Sequence, residues 1–259
     1  MSSSLLEGFA PIAEGTSRSL HVRGIDKAFG GVRALRACTF DVEAGKISAL
    51  IGPNGSGKTT AFNCISGFYV PDKGTVVLGD RDITGWTPSR IVHQRVARTF
   101  QITRIFKRMS VLENMVVPVR RTGLKAMFWD GIQGHERERA ARLLEFVGLS
   151  SFMHDQAGHL SFGQQKLLEL AAALMAEPEI MLLDEPSGGL NPIMIDRLTG
   201  YIRDLNRLGV TFLIVEHNMG FVMRLADEVV VLHRGAVISH GRPADVRADP
   251  AVLEAYLGD

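Results

Sequence analysis

The sequence predicts an α/β fold with a helical insert, on three observations. A glycine-rich loop, Gly52-Pro53-Asn54-Gly55-Ser56-Gly57-Lys58-Thr59, follows the apolar run Ile47 to Ile51 and precedes a helix-compatible stretch, Thr60 to Ser66. Two continuous apolar runs, Ile180 to Leu183 and Thr211 to Val215, read as parallel strands covered on both faces, with helical segments between them. From about Ile102 to His159 no convincing strand occurs.

The elements follow in order. Residues 1–19 are rich in Ser, Gly and Ala, without a basic segment or a long apolar one, and read as a mobile tail rather than a signal peptide. Leu20 to Ile25 and Thr39 to Val42 alternate like half-buried strands. Val76 to Leu78 follows a turn, Pro71-Asp72-Lys73-Gly74. Ser110 caps a helix with Glu113 at its third position, and Gln133 to Val147 is an amphipathic helix, with Glu138 and Arg142 at i,i+4 spacing, whose charges read as a solvated face. Phe128 and Trp129 read as loop anchors between them. A helix is expected over Lys166 to Ala176, and others over Pro192 to Leu208 and Asn218 to Ala226. Glu228 to His233 and Ala236 to His240 flank Arg234-Gly235 as a hairpin.

Composition narrows the classes. The chain has 259 residues, with 29 Lys+Arg against 28 Asp+Glu, so no basic excess points to nucleic acid. Cys38 and Cys64 lack a CxxC spacing and read as inert thiols of a reduced, cytoplasmic protein. No apolar run reaches the roughly 18 residues that span a bilayer. Membrane association is therefore expected only through a partner.

The loop matches G-x-x-x-x-G-K-[ST] in its strand–loop–helix setting. Glycines let the backbone wrap phosphate oxygens, and successive N–H groups cradle them at a helix start. Lys58 is expected to reach the β- and γ-phosphates of a nucleoside triphosphate, and Thr59 to hold Mg²⁺. Such a loop alone leaves kinases, GTPases and motor ATPases open. Asp184 and Glu185 end a buried strand; two such acids are ordinarily solvated, but after a phosphate loop Asp184 suits Mg²⁺ and Glu185 suits polarising a water. Ser161 and Gly163 stand at a positive helix end, where either a phosphate or a simple cap is served. His217, beyond a core strand, suits a γ-phosphate, and Gln101 suits Mg²⁺ and the attacking water. Each of these two is unremarkable alone.

Taken in order, these motifs resemble the ABC ATPases from about Leu20 to the C-terminus. The resemblance implies a P-loop NTPase core (20–101 and 160–259) with an antiparallel β subdomain and an inserted α-helical subdomain (102–159). It makes Gly52 to Thr59 the Walker A loop, with Thr60 also on ATP, and Gln101 the Q-loop residue. Ser161, Phe162, Gly163, Gln164 and Gln165 become the signature, acting on ATP in the opposite subunit. Asp184 becomes the Walker B aspartate, Glu185 the base, His217 the switch histidine, and Ser187, Gly188, Gly189, Leu190 and Asn191 the D-loop. Phe29 stands where the family stacks an aromatic on adenine.

Lys27 to Gly31, Arg98 to Gln101, Ser187 to Pro192 and Asp249 to Gly258 further resemble the larger ATPase of branched-chain amino acid importers. Two departures, Phe162 within the signature and Asn218 beside the histidine, leave hydrolysis intact. The resemblance implies ATP and Mg²⁺, membrane permease subunits docking near Gln101 and the insert, a second ATPase subunit that is either this chain or a paralogue, and indirectly a substrate-binding protein. Urea and short-amide importers use very similar ATPases. A small-molecule kinase would not explain the signature, and a GTPase would need an Asn-Lys-x-Asp motif; a soluble ABC ATPase of cluster assembly or DNA maintenance is a third alternative, of which the DNA type would need a long coiled-coil insert.

Overall fold

Strand chemistry divides the chain between two sheets. The computed structural model describes residues 17–99, 105–119, 132 and 134–257. β1 (Leu20–Phe29) and β2 (Val32–Val42) form a hairpin; β3 (Ile47–Ile51) then runs into the glycine loop, from which α1 (Lys58–Ile65) departs. β4 (Lys73–Leu78) and β5 (Arg81–Asp82) complete an antiparallel sheet of order β2-β1-β4-β5. Lys73 and Gly74, expected in a turn, already belong to β4, because Lys73 pairs with Asp26 of β1.

α2 (Pro88–Val92) leads to β6 (Val96–Arg98). The region read as helical then supplies α3 (Val111–Val116) and α4 (Gly134–Phe146), with short 3-10 turns, before α5 (Phe162–Leu174). Phe128 and Trp129 lie outside the described residues. β7 (Ile180–Asp184), α6 (Pro192–Arg207), β8 (Thr211–Val215), α7 (Met219–Leu225), β9 (Glu228–His233) and β10 (Ala236–Gly241) follow, and α8 (Pro243–Ala248) and α9 (Pro250–Leu257) close the described chain.

Among the described residues the second sheet has the order β10-β9-β3-β8-β7-β6. Its members from β9 to β6 pair in parallel, and β10 adds an antiparallel edge. Every residue of β3, β7 and β8 is buried, the physical reason their sequences are apolar apart from Ser48, Asp184 and Thr211. One face packs on α1 and the antiparallel sheet through Leu50, Phe62, Ile65, Leu182 and Leu213. The opposite face shares a core with the helical insert, where Met115, Leu144 and Leu168 join Met181, Leu183 and Phe212. Val252 of α9 packs with Ile51 and Val231.

Three further expectations shift. The helix expected from Lys166 begins at Phe162, since Ser161 caps it and Gln164 closes the capping box. Ser17 and Arg18, assigned to a tail, are tied down: Ser17 Oγ donates to the Gly209 carbonyl, and Arg18 pairs with Glu179 at 2.7 Å and donates to the Gln94 carbonyl. On α4, Arg139 turns from solvent to Glu177 and to the Leu174 carbonyl at the end of α5. Both cysteines are free and buried; burial pushes the Cys38 thiol up to about 12 and the Cys64 thiol to about 11, which suppresses thiolate chemistry.

Candidate functional site

The candidate site forms where the parallel strands end. β3 gives the glycine loop, β7 gives Asp184, and β8 gives Glu216 and His217, all on the carboxyl edge where open α/β sheets bind ligands. The loop is fixed by close approach. A Cβ on Gly52, whose φ is 149°, would lie 2.0 Å from the Leu232 carbonyl oxygen of β9. Gly57 precedes α1 with φ 106° and offers no side-chain cap. Ser161, Asn191 and Asn218 cap α5, α6 and α7 by contrast. The amides opening α1 are therefore left to an anion in the loop, the donor set a phosphate chain needs.

Lys58 is buried in that loop and donates to the carbonyls of Gly52 and Pro53 at 2.7 and 2.9 Å. Burial lowers its pKa, and the Glu185 carboxylate opposes that shift. Asn54, Gly55 and Thr59 are exposed, while Pro53 and Thr60 are half-buried. Ser56 is buried, and its N–H bonds to the Pro53 carbonyl at 3.2 Å.

At the end of β7, Asp184 is buried, and Arg98 Nη2 donates to its Oδ2 at 3.1 Å. Burial raises the Asp184 pKa, and the Arg98 guanidinium pulls against that rise. Glu185 adopts φ 44°, a left-handed conformation that a non-glycine residue holds only when its surroundings enforce it. Its N–H donates to the Val215 carbonyl at 2.9 Å, and its carbonyl accepts from Lys166 Nζ at 3.1 Å. That turn aims the Glu185 carboxylate at His217, with Oε1 3.5 Å from Nδ1. A carboxylate beside an imidazole, next to an anion cradle, can orient a water and accept its proton.

Sequence reasoning passed over Glu216. Its side chain is fully buried, with one oxygen accepting from Ser187 N–H at 2.9 Å. The other accepts from the N–H groups of His217 and Asn218 at 3.0 and 3.1 Å. One carboxylate thus holds both the segment after Glu185 and the histidine. Its one sequence signal is an acid ending an apolar strand. Lys166 and Arg98 were equally unassigned.

The remaining expected residues are partly assembled. Ser161 Oγ accepts from Gln164 N–H at 3.4 Å, Gln164 Oε1 accepts from Ser161 N–H at 2.8 Å, and Gln165 Nε2 donates to the Leu160 carbonyl at 2.9 Å. Ser161 and Phe162 are exposed on the chain's own surface. Gly189 packs under the Phe162 ring, and Gly163 lies against Leu190 and Met194. Asn191 caps α6, and the Gly188 N–H donates to the Glu185 carbonyl at 3.1 Å. Phe29 sits exposed at the β1–β2 turn, with the Tyr69 ring edge-on at 5.1 Å and Lys27 Nζ 5.5 Å from its centre. Gln101 lies outside the described residues. Among the described residues no group of three or more His, Cys, Asp or Glu side chains is placed to hold a metal ion.

A glycine loop after β3, an acidic pair at the end of β7 and a histidine after β8 fit an ATP-binding cassette, and the comparisons agree. The chain belongs to the ABC transporter family, whose model matches residues 35–188. Residues 236–259 match a second model, branched-chain amino acid ATP-binding cassette transporter. The chain is 41% identical over 250 residues to the high-affinity branched-chain amino acid transport ATP-binding protein BraF of Pseudomonas aeruginosa, covering 93% of this chain and 98% of that one. It is 38% identical to LivG of Escherichia coli, a protein of the same description, with the same coverage. Among solved structures, a nucleotide-free cassette from an ABC transporter superposes with a TM-score of 0.85 at 35% identity, covering 93% of this chain and all of that one. The ADP conformation of the cassette MJ1267 gives 0.85 at 36%, covering 93% and 99%.

Proposed function

We propose that this chain is the ATP-hydrolysing, energy-coupling subunit of an importer for branched-chain or other hydrophobic amino acids, held at the inner face of the cell membrane by its permease. The observation that carries it is the convergence of the Gly52–Thr60 loop, Asp184, Glu185 and His217 on one sheet edge, with Glu185 and His217 3.5 Å apart. Lys58 and the α1 amides bind the phosphates, and Phe29 stacks on the base. Thr59, Asp184 and Gln101 hold Mg²⁺, which supplies neutralisation of phosphate charge. Glu185 takes the proton of the attacking water, and His217 orients the γ-phosphate. The exposed Ser161 to Gln165 segment completes the site of a second ATPase subunit, either this chain or a paralogue.

A permease dock is supported by an apolar cleft of about 200 Å³ between β6 and the helical insert, lined by Phe106, Val117, Pro118, Ala172 and Ala173 among others. Among the described residues no helix is long and apolar enough to cross a membrane, so the membrane component is a separate chain in this reading. The cargo follows the printed names of the relatives.

The test is uptake into proteoliposomes holding the chain with the permease and binding protein that co-purify with it. Leucine uptake should require enclosed ATP. Glu185→Gln should abolish it, lowering hydrolysis by about 10²–10⁴-fold, the scale of general-base loss, while ATP affinity stays within a few-fold. Uptake and hydrolysis at parental rates in the variant would contradict the reading. Uptake of urea or short amides in place of leucine would overturn the cargo alone.

A further inference from the structure

Arg98, the last residue of β6, occupies a position that the nucleotide site does not explain. Its Nη1 donates to Asn63 Oδ1 at 2.7 Å and to Ser66 Oγ at 2.5 Å, both at the end of α1. Its Nη2 donates to Asp184 Oδ2 at 3.1 Å. Its guanidinium centre lies 4.7 Å from the Phe62 ring and 5.0 Å from the Phe68 ring. Only about a tenth of either the Arg98 or the Asp184 side chain is exposed. The same arginine lines the apolar cleft together with Phe106, Val117 and Ala173. One planar side chain therefore touches the cleft, the helix leaving the phosphate loop, and the carboxylate at the end of β7.

We infer that Arg98 is a positioning residue that carries occupancy of the cleft to Asp184. Separating a buried ion pair leaves an uncompensated charge, so Arg98 and Asp184 move together more readily than apart. The bonds to Asn63 and Ser66 hold the plane of the guanidinium, so a shift of Arg98 is passed on as a shift of the Asp184 carboxylate. Coupling between sites travels through contiguous packed and hydrogen-bonded groups with more than one arrangement. Lysine keeps the charge here but not the fork, and a single ammonium cannot serve Asn63, Ser66 and Asp184 in the same plane.

This inference rests on the proposed permease dock, and the experiment separates the two. Hydrogen exchange by mass spectrometry is compared for the full chain alone and bound to its co-purified permease in nanodiscs. The readouts are the cleft segment, residues 105–118, and the β7 end, residues 182–190. In the parent chain, permease binding should protect 105–118 and change exchange at 182–190. In Arg98→Lys, and in Arg98→Gln as a second variant, protection of 105–118 should persist while the response at 182–190 falls at least fivefold, the lower end of ordinary coupling between two sites, which spans roughly 5–150-fold. Permease stimulation of hydrolysis should fall with it. An undiminished response at 182–190 in both variants overturns the inference and leaves the dock intact. Absence of protection at 105–118 in the parent overturns the dock itself, and the inference with it.

Discussion

At the scale of the residue, Glu216 shows how a buried charge holds a site without touching the chemistry. Its two oxygens accept three backbone N–H groups, from Ser187, His217 and Asn218. Glu216→Gln keeps the shape but turns one acceptor into an amide donor facing an N–H. We predict a loss of about 1–3 kcal/mol in unfolding free energy, the cost of an unsatisfied buried donor, and a fall in hydrolysis with ATP affinity retained. Urea denaturation and nucleotide titration check both, and a variant of parental stability and rate would contradict the role. The placing of Lys58, Asp184, Glu185 and His217 at the sheet edge was legible in sequence because each stands at or close after a strand end. Glu216 and Arg98 were not, because each draws a decisive partner from elsewhere: Ser187 lies 29 positions from Glu216, and Asn63 and Asp184 lie 35 and 86 from Arg98. No local pattern encodes such a pairing.

At the scale of the element, the loop's shape depends on its neighbour in the sheet. Gly52 passes so close to β9 that a Cβ would overlap the Leu232 carbonyl. Gly52→Ala must therefore displace the loop or the strand. We predict a stability loss of about 1–3 kcal/mol, as for other forced overpacking, with weakened nucleotide binding. Thermal denaturation with and without ATP measures it, and unchanged values would show that the loop accepts a side chain. The core strands and long helices were readable from periodicity. The start of α5 was misplaced because the Ser161-Phe162-Gly163 stretch carries no apolar period; the helix there is set by the Ser161–Gln164 box. β6 was missed as an element because three residues are too few for a pattern, and it is held by its pairing with β7. Ser17 and Arg18 looked free because their composition is polar, while their partners, Gly209 and Glu179, are remote in sequence.

At the scale of the whole molecule, the phosphate loop and the Ser161 segment belong to one chain, but in the proposed mechanism they serve different nucleotides. The Ser161 hydroxyl is spent on its own helix cap, and Phe162 beside it is 49% exposed, as suits a surface awaiting a second subunit. A nucleotide bound across two chains stabilises their dimer by linkage, so ATP should drive association. The most direct measurement is sedimentation of the Glu185→Gln protein, which retains its nucleotide, run alone and with its paralogous ATPase where one is present. With Mg²⁺ and ATP, one of these mixtures should shift to dimer, and adding Ser161→Arg should prevent the shift while binding of ATP to the isolated chain stays nearly intact. A Glu185→Gln protein that remains monomeric with ATP in both mixtures, or a Ser161→Arg variant that dimerises as its parent does, would contradict a composite site.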